Sequence, residues 1–473
     1  MAQLIGLGIE NFRIFKEYTE FDFAPITLLT GANNSGKSSL IKALLLLAVN
    51  ANKKLERFTV DYELESRLTK LGNFESITHN SQYPITFKLY FDNVFEEIAR
   101  PIHKEEVAGY IFRELAKYQT AISVKSNGLV GENLCYFTYE IFTNGKWSEL
   151  FSFEFDKNTD NIVSKINFIE IKKILEFILS NNQLNFRIEN QHKEEEREID
   201  NSIISDIYTI VDLIFEDLVI KLKEKENGKK FTSFKLLYPI FKRMIEIALR
   251  AIEFGDKIEY LPAFRGNQER FYSYESDLAL NRLLKQFTDK GFKEESKEQT
   301  YLNYWIERLG IGKKIDLIPD IGGTKVNISN GTDRPMADYG FGITQLLPLL
   351  LKIVLNPNKI LLVEEGENSL HPNFQSQLAD LLIDAHKNFG IHFIVETHSE
   401  YLIRKLQFLT TKKEITGKEV GIYYFNNPNE IDEANGVPQM LRIQIQENGG
   451  LDKNFGSGFY DEAAFWAFQL SNN

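Results

Sequence analysis

The sequence predicts an α/β fold with a parallel sheet and a largely helical insertion. Three stretches carry that reading. GANNSGKSS (31–39) follows a short apolar run, Ile26-Thr27-Leu28-Leu29. KILLVEE (359–365) and GIHFIVETHS (390–399) are nearly continuous apolar runs that end in polar groups, and a helix-like stretch over 373–386 joins them. Such runs suit strands buried on both faces of a sheet. Strand–helix–strand order puts the working loops at the carboxyl ends of the strands.

Taken in chain order, the first 95 residues read as strands around one helix. LIGLGIENF (4–12), EFDFAPITLLT (20–30) and SQYPITFKLYF (81–91) are strand-like, and Ser38 to Val49 is a helix with an apolar centre. Residues 96–257 change character. Phe168, Ile171, Leu175 and Ile178 recur at helical spacing, as do Ile210, Leu213, Ile214 and Leu218. Ile240 to Phe254 is a third helical stretch, with Pro239 at its start, where a missing N–H costs little. Charge runs at 192–200 (HKEEEREID) and 221–230 (KLKEKENGKK) read as solvated helix ends and loops. The segment is therefore expected to be a partly helical insertion for regulation or partner docking. From 258 to 473 the strands return, with Val420 to Phe425 as a further strand and Tyr460 to Leu470 as a terminal helix.

Composition sets outer bounds. A chain of 473 residues suits two or three domains. One cysteine, Cys135, excludes a disulfide framework, and the 7 scattered histidines show no structural-zinc spacing. The start, MAQLIGLGIENFRIFKE, lacks the pattern of a signal peptide, and no run of about 18 apolar residues occurs. A cytoplasmic protein without a membrane partner is expected. The net charge of -12 argues against a surface coated for DNA binding, although charge can be segregated on a fold.

The chemistry starts at Gly31-x-x-x-x-Gly36-Lys37-Ser38, a phosphate-binding loop in its proper context of strand before and helix after. Its glycines let successive N–H groups face an anion, so Gly31, Asn33, Asn34, Ser35, Gly36, Lys37, Ser38 and Ser39 are expected to cradle the phosphates of a nucleotide. Lys37 is expected to reach the β and γ phosphates, and the Ser38 hydroxyl to ligate Mg2+. Glu364 and Glu365 end a buried strand. The first is assigned to the Mg2+ and the second to the attacking water. His398, at the end of the next buried strand, is expected to sense the γ-phosphate or polarise the water. YGFGITQLLPLLLKI (339–353) places Gly340 and Gly342 before a buried helix, a second surface for phosphate.

These pieces together resemble the ATP-binding-cassette (ABC) ATPases, and more closely their soluble branch with the SMC and RecF proteins and the OLD family. IENFRIF (9–15) is similar to that branch's first strand. VEEGENSLHP (363–372) resembles its Walker B and D-loop, THSEYLI (397–403) its histidine switch, and YGFGITQLLPLL its degenerate signature. YLPAFRGNQERFY (260–272) is similar to a segment that carries an arginine after a proline, here Arg265. Gly366 stands where that branch has proline. The likeness covers roughly 1–95 and 258–470. It implies an ABC-type P-loop ATPase head and a homodimer or higher homo-oligomer that closes around ATP, with the signature of one subunit facing the nucleotide of the other and Ser369 and Leu370 at the interface.

No Toprim nuclease is expected in the 75 residues after His398, because the segment is short and Asp432, Glu433, Asp452, Asp461 and Glu462 do not form its acidic pattern. An ATPase without an effector of its own resembles the ATPase subunits of bacterial two-gene anti-phage systems such as Septu or PARIS. That resemblance implies a separate effector protein, a nuclease or toxin. The alternative is a DNA repair or chromosome-maintenance ATPase that binds DNA between dimerised heads. Its basic groove would draw on Lys53, Lys54, Arg57, Lys70, Lys229, Lys230 and Lys235, the last beside Phe234 and Tyr238. Asn73, in LGNFESI (71–77), is a further candidate contact to water or Mg2+.

Overall fold

A computed structural model of the chain describes residues 3–52, 74–92, 119–126, 134–143, 145–156, 161–166, 195–200, 254–432, 437–456, 459, 466 and 468–470. The helical stretches expected at 168–178 and 210–218, nearly all of that at 240–254, the charge run 221–230, Asn73 and the lysines and arginine named for a basic groove lie outside the described residues, as does most of the terminal helix.

Tertiary contacts divide the chain into two compact units, Met1–Asp22 with Lys42–Asp256, and Phe23–Ile41 with Lys257–Asn473. The first 95 residues are shared between the units because their strands pair differently. β1 (Gln3–Glu10), β2 (Thr19–Asp22) and β4 (Ile85–Asp92) pair antiparallel with one another, whereas β3 (Ile26–Gly31) pairs parallel with strands from the far end of the chain.

The first unit holds an eight-stranded antiparallel sheet in the order β2-β1-β4-β5-β6-β7-β8-β9, where β5 is Thr120–Ser126, β6 Leu134–Thr143, β7 Lys146–Asp156, β8 Asn161–Ile166 and β9 Glu195–Asp200. Phe12 packs edge-on against Phe87, and Phe15 against Phe21, in its buried core. Most described residues between 119 and 200 thus lie in strands, elements that the reading of a partly helical insertion did not name. Period-two alternation in KWSELFSFEFD explains why: strands of this kind bury every second side chain. The charge run 192–200 also contributes a strand rather than a helix end. β9 ends the order of the sheet, and a charged edge strand resists pairing with another chain.

The second unit is built on a six-stranded sheet in the order β10-β15-β16-β3-β17-β18. β10 (Ile258–Leu261), β15 (Ile360–Glu364), β16 (His392–Glu396), β3 and β17 (Val420–Phe425) are parallel, and β18 (Met440–Gln444) is antiparallel to β17. Every residue of β3 and β17 is buried, as continuous apolar runs dictate for strands covered on both faces. A smaller sheet of β11 (Tyr272–Ser273), β12 (Lys314–Asp320), β13 (Gly323–Ser329) and β14 (Asp333–Pro335) belongs to the same unit.

The helices follow from their end signals. α1 (Lys37–Asn52) starts at the phosphate-binding loop, and α2 (Ala279–Lys290) ends on Gly291 in the left-handed conformation. α3 (Lys297–Arg308) is capped by Ser296. α4 (Gly342–Leu355) is apolar nearly all round and correspondingly buried. α5 (Pro372–Phe389) has Pro372 in its first turn and Gly390 beyond its end, the two residues that suit those positions. α6 (Glu400–Thr411) is capped by Ser399. Trp305, Leu347, Leu350, Leu382 and Phe393 lie in the core that α2 to α6 share with the six-stranded sheet.

Candidate functional site

The sheet order decides which side chains meet. β16 lies between β3, which runs into the phosphate-binding loop, and β15, which ends in the paired carboxylates. Glu396 at the end of β16 is in register with Leu29 on one side and Glu364 on the other. Three parallel strands therefore deliver their carboxyl ends to one place.

Gly31 ends β3 at φ 117°, where a Cβ would stand 2.2 Å from the Phe425 carbonyl oxygen. Only glycine fits there. That carbonyl accepts the Ala32 N–H at 3.0 Å and so ties the loop to β17. Asn33 and Asn34 are exposed at the loop's crest, and Asn34 is left-handed at φ 57°. Ser35 is buried and donates to the Ala32 carbonyl at 2.6 Å. Gly36 has φ 114° and opens α1, where its carbonyl accepts from the Ser39 N–H at 2.9 Å. The buried Lys37 ammonium donates to the Gly31 and Ala32 carbonyls at 3.2 and 2.6 Å. Burial lowers its pKa, and Glu396 and Glu365 oppose that shift.

Ser38 donates to both carboxylate oxygens of Glu396, at 2.9 and 3.2 Å. Glu396 was not among the residues expected here. It is 7% exposed, and burial pushes its pKa up, with Glu364 and Glu365 acting in the same direction. The signal was present in the sequence: an acid in the last position of an apolar strand, directly before Thr397-His398.

Glu365 has a left-handed backbone, φ 47°, which non-glycine residues adopt at a cost. Its N–H donates to the Glu396 carbonyl at 2.9 Å, so the turn is bound to β16. Arg265 holds the other side. Its guanidinium is fully buried and donates to the carbonyls of Glu364 (2.7 Å), Glu365 (2.9 Å), Gln345 (3.1 Å) and Pro262 (3.0 Å). Burial lowers its pKa to about 10, against the pull of Glu367, Glu365 and Glu364, so it stays charged at neutral pH. Tyr260, on β10 next to β15, hydrogen-bonds Glu364, and burial raises its pKa. The 260–265 segment thus serves the paired carboxylates from behind, a role that spacing alone did not reveal.

His398 is exposed, and its backbone N–H donates to Glu367 Oε1 at 2.6 Å. Partial desolvation by its neighbours, and then the Lys37 charge, lower the pKa of its ring. Ser399 caps α6 and donates to Gln375 Oε1 at 2.7 Å, which fixes the strand-to-helix turn. Gly340 is exposed and Gly342 begins α4. A Cβ on Gly342 would stand 3.1 Å from the Ser369 carbonyl oxygen and 3.3 Å from Leu370 Cδ2, so the structure sets the signature-like glycine against the D-loop-like segment.

The donors around Ser38 are all oxygen, the set a hard divalent cation such as Mg2+ prefers. Among the described residues no group of three or more His, Cys, Asp and Glu is arranged to hold a metal by itself. A cation here would depend on Ser38 and the phosphates as well as on carboxylates, which is how Mg2+ is held in nucleotide sites.

The model of the AAA ATPase domain family matches residues 3–403. The chain belongs to the AAA ATPase domain family. Residues 415–470 match a second family, described as a protein of unknown function, DUF3696. Among curated proteins, the methionine import ATP-binding protein MetN of Geobacillus kaustophilus is 24% identical over 139 residues, 28% of this chain and 39% of that protein. The spermidine/putrescine import ATP-binding protein PotA of Malacoplasma penetrans is 22% identical over 262 residues, 50% of this chain and 42% of that protein. The chain thus spans about two fifths of each of these relatives. Among solved structures, an Smc head domain with an extended coiled coil, bound to the C-terminal domain of ScpA and derived from Pyrococcus furiosus, is 13% identical with a TM-score of 0.39 over 100% of both chains. No helix among the described residues is long and apolar enough to cross a membrane.

Proposed function

We propose that this AAA ATPase binds ATP with Mg2+ and hydrolyses it in a site closed by a second copy of the chain. The observation that supports it is the meeting of Lys37, Ser38, Glu364, Glu365 and Glu396 at the ends of β3, β15 and β16, with His398 just beyond. Lys37 exchanges its loop carbonyls for the β and γ phosphates. Glu365 orients a water and takes its proton as the oxygen attacks the γ-phosphorus, the bond to the bridging oxygen breaks, and ADP leaves with phosphate. His398 lines the γ-phosphate side. Mg2+, when bound by Ser38 and Glu364, supplies charge neutralisation and orientation of the phosphates.

In this reading Gly340, Gly342 and the start of α4 face the nucleotide of the partner copy, and Ser369 and Leu370 lie at the interface. The cell context rests on the family resemblance: an ATPase subunit of an anti-phage complex, in the cytoplasm, that controls a separate nuclease or toxin. The test is steady-state ATP hydrolysis by the purified chain with and without double-stranded DNA. Turnover that DNA leaves unchanged fits an ATPase that waits for a protein effector, whereas strong stimulation moves the reading to DNA maintenance. Glu365→Gln should abolish turnover, keep ATP bound and accumulate the dimer in size-exclusion chromatography with light scattering.

A further inference from the structure

The deepest carboxylate of the site is the one that carries this inference, which rests on the ATP and Mg2+ reading above. Ser38 directs its hydroxyl proton at Glu396, with 2.9 Å to one carboxylate oxygen and 3.2 Å to the other. A serine hydroxyl has one proton and two lone pairs. Once an ionised acceptor takes the proton, a lone pair is free for a cation. Glu396 is suited to that task by its placement. It is 93% removed from solvent, judged by its 7% exposure, so water competes poorly for the hydroxyl. Its backbone is pinned on both sides, by register with Leu29 of β3 and with Glu364 of β15, and by the Glu365 N–H on its carbonyl. The side chain that ends β16 is therefore held between the phosphate-binding loop and the paired carboxylates.

We propose that Glu396 is a cation-site residue: it fixes the Ser38 hydroxyl with its oxygen turned to a divalent cation, and with Glu364 it makes the protein's wall of that site doubly anionic. Two consequences follow. Divalent cation affinity depends on Glu396 as well as on Glu364. Nucleotide without a cation is opposed by the two carboxylates, so the site couples nucleotide to metal more steeply than a single acid would.

The probe is Mn2+, followed by electron paramagnetic resonance, with ADP present, on the full chain and on Glu396→Gln, Glu396→Asp and Glu364→Gln. ADP binding without metal is measured on the same samples and serves as the check that each variant is folded. We expect Glu396→Gln to weaken Mn2+ by about 10- to 100-fold, the range for residues that orient a metal's ligands. Metal-free ADP should bind this variant as well as the wild type or better, and Glu396→Asp should recover part of the Mn2+ affinity. Should Glu396→Gln hold Mn2+ as tightly as wild type while Glu364→Gln loses it, Glu396 is only a hydrogen-bond partner of Ser38 and the inference is overturned. A wild-type chain that binds no ADP with or without Mn2+ would instead overturn the nucleotide reading itself, and this inference with it.

Discussion

Replacing Arg265 by methionine keeps the length of the side chain and removes its charge and donors. The guanidinium is fully buried and serves four carbonyls, those of Pro262, Gln345, Glu364 and Glu365. Each carbonyl left unsatisfied costs about 1–3 kcal/mol. Glu365 keeps one donor, the Asn368 N–H at 3.0 Å, and Gln345, inside α4, keeps its helical one, so these two losses are the mildest. The apolar replacement also recovers the desolvation of a buried cation, which offsets part of the sum. The neighbouring Glu367, Glu364 and Glu365 carboxylates lose their attraction to it. A net loss of about 3–5 kcal/mol is expected, as for breaking a buried charged network from one side. Chemical denaturation followed by intrinsic fluorescence measures it. Arg265→Lys should lie between, because one ammonium cannot present the planar fork that reaches four acceptors. Turnover should fall further than stability implies, since the left-handed Glu365 turn loses the clamp on its outer side. If Arg265→Met unfolds within about 0.5 kcal/mol of wild type and turns over ATP normally, the clamp argument is wrong.

Lys37→Ala should weaken ATP binding by about 10- to 100-fold, the worth of a charge-assisted hydrogen bond of about 1.5–3 kcal/mol, in a titration with a fluorescent analogue. Gly342→Asp should leave ATP binding by each monomer intact and prevent ATP-dependent dimerisation, seen by light scattering, because a carboxylate opposes the phosphates and its Cβ crowds Ser369 and Leu370. Normal hydrolysis by a monomeric Gly342→Asp variant would sink the composite-site reading. His392 is half-buried beside His386, and its pKa is lowered from 6.5 to about 4, first by desolvation and then by that neighbour. The unfolded chain takes up the proton first, so stability is lost as pH falls from 6.5 towards 4, by an amount on the order of 2 kcal/mol. His392→Phe should flatten that part of a melting-temperature profile against pH.

Much of the nucleotide site was legible because its residues sit next to each other in sequence and obey local rules. The phosphate-binding loop needs a left-handed glycine after a buried strand, and Gly31, Gly36, Lys37 and Ser38 announce it at fixed spacing. Glu364-Glu365 and Thr397-His398-Ser399 were readable because polar residues that end an apolar strand must emerge where ligands bind. The roles of Glu396, Glu367 and Arg265 were not, because each works through a partner far away in the chain. Ser38 and Glu396 are 358 residues apart, and Arg265 reaches Glu364 across 99. In the insertion the helical spacings lie outside the described residues, while its described strands alternate with period two.

By itself the sequence determined the α/β class, the loop that meets phosphate and the strand ends that carry acid, since local backbone geometry and burial pattern are written in neighbouring residues. Tertiary structure alone decided that β16 runs between the phosphate-binding strand and the strand of paired carboxylates. That order puts Glu396 on Ser38, and strand order is set by pairing between distant segments, which no local pattern encodes.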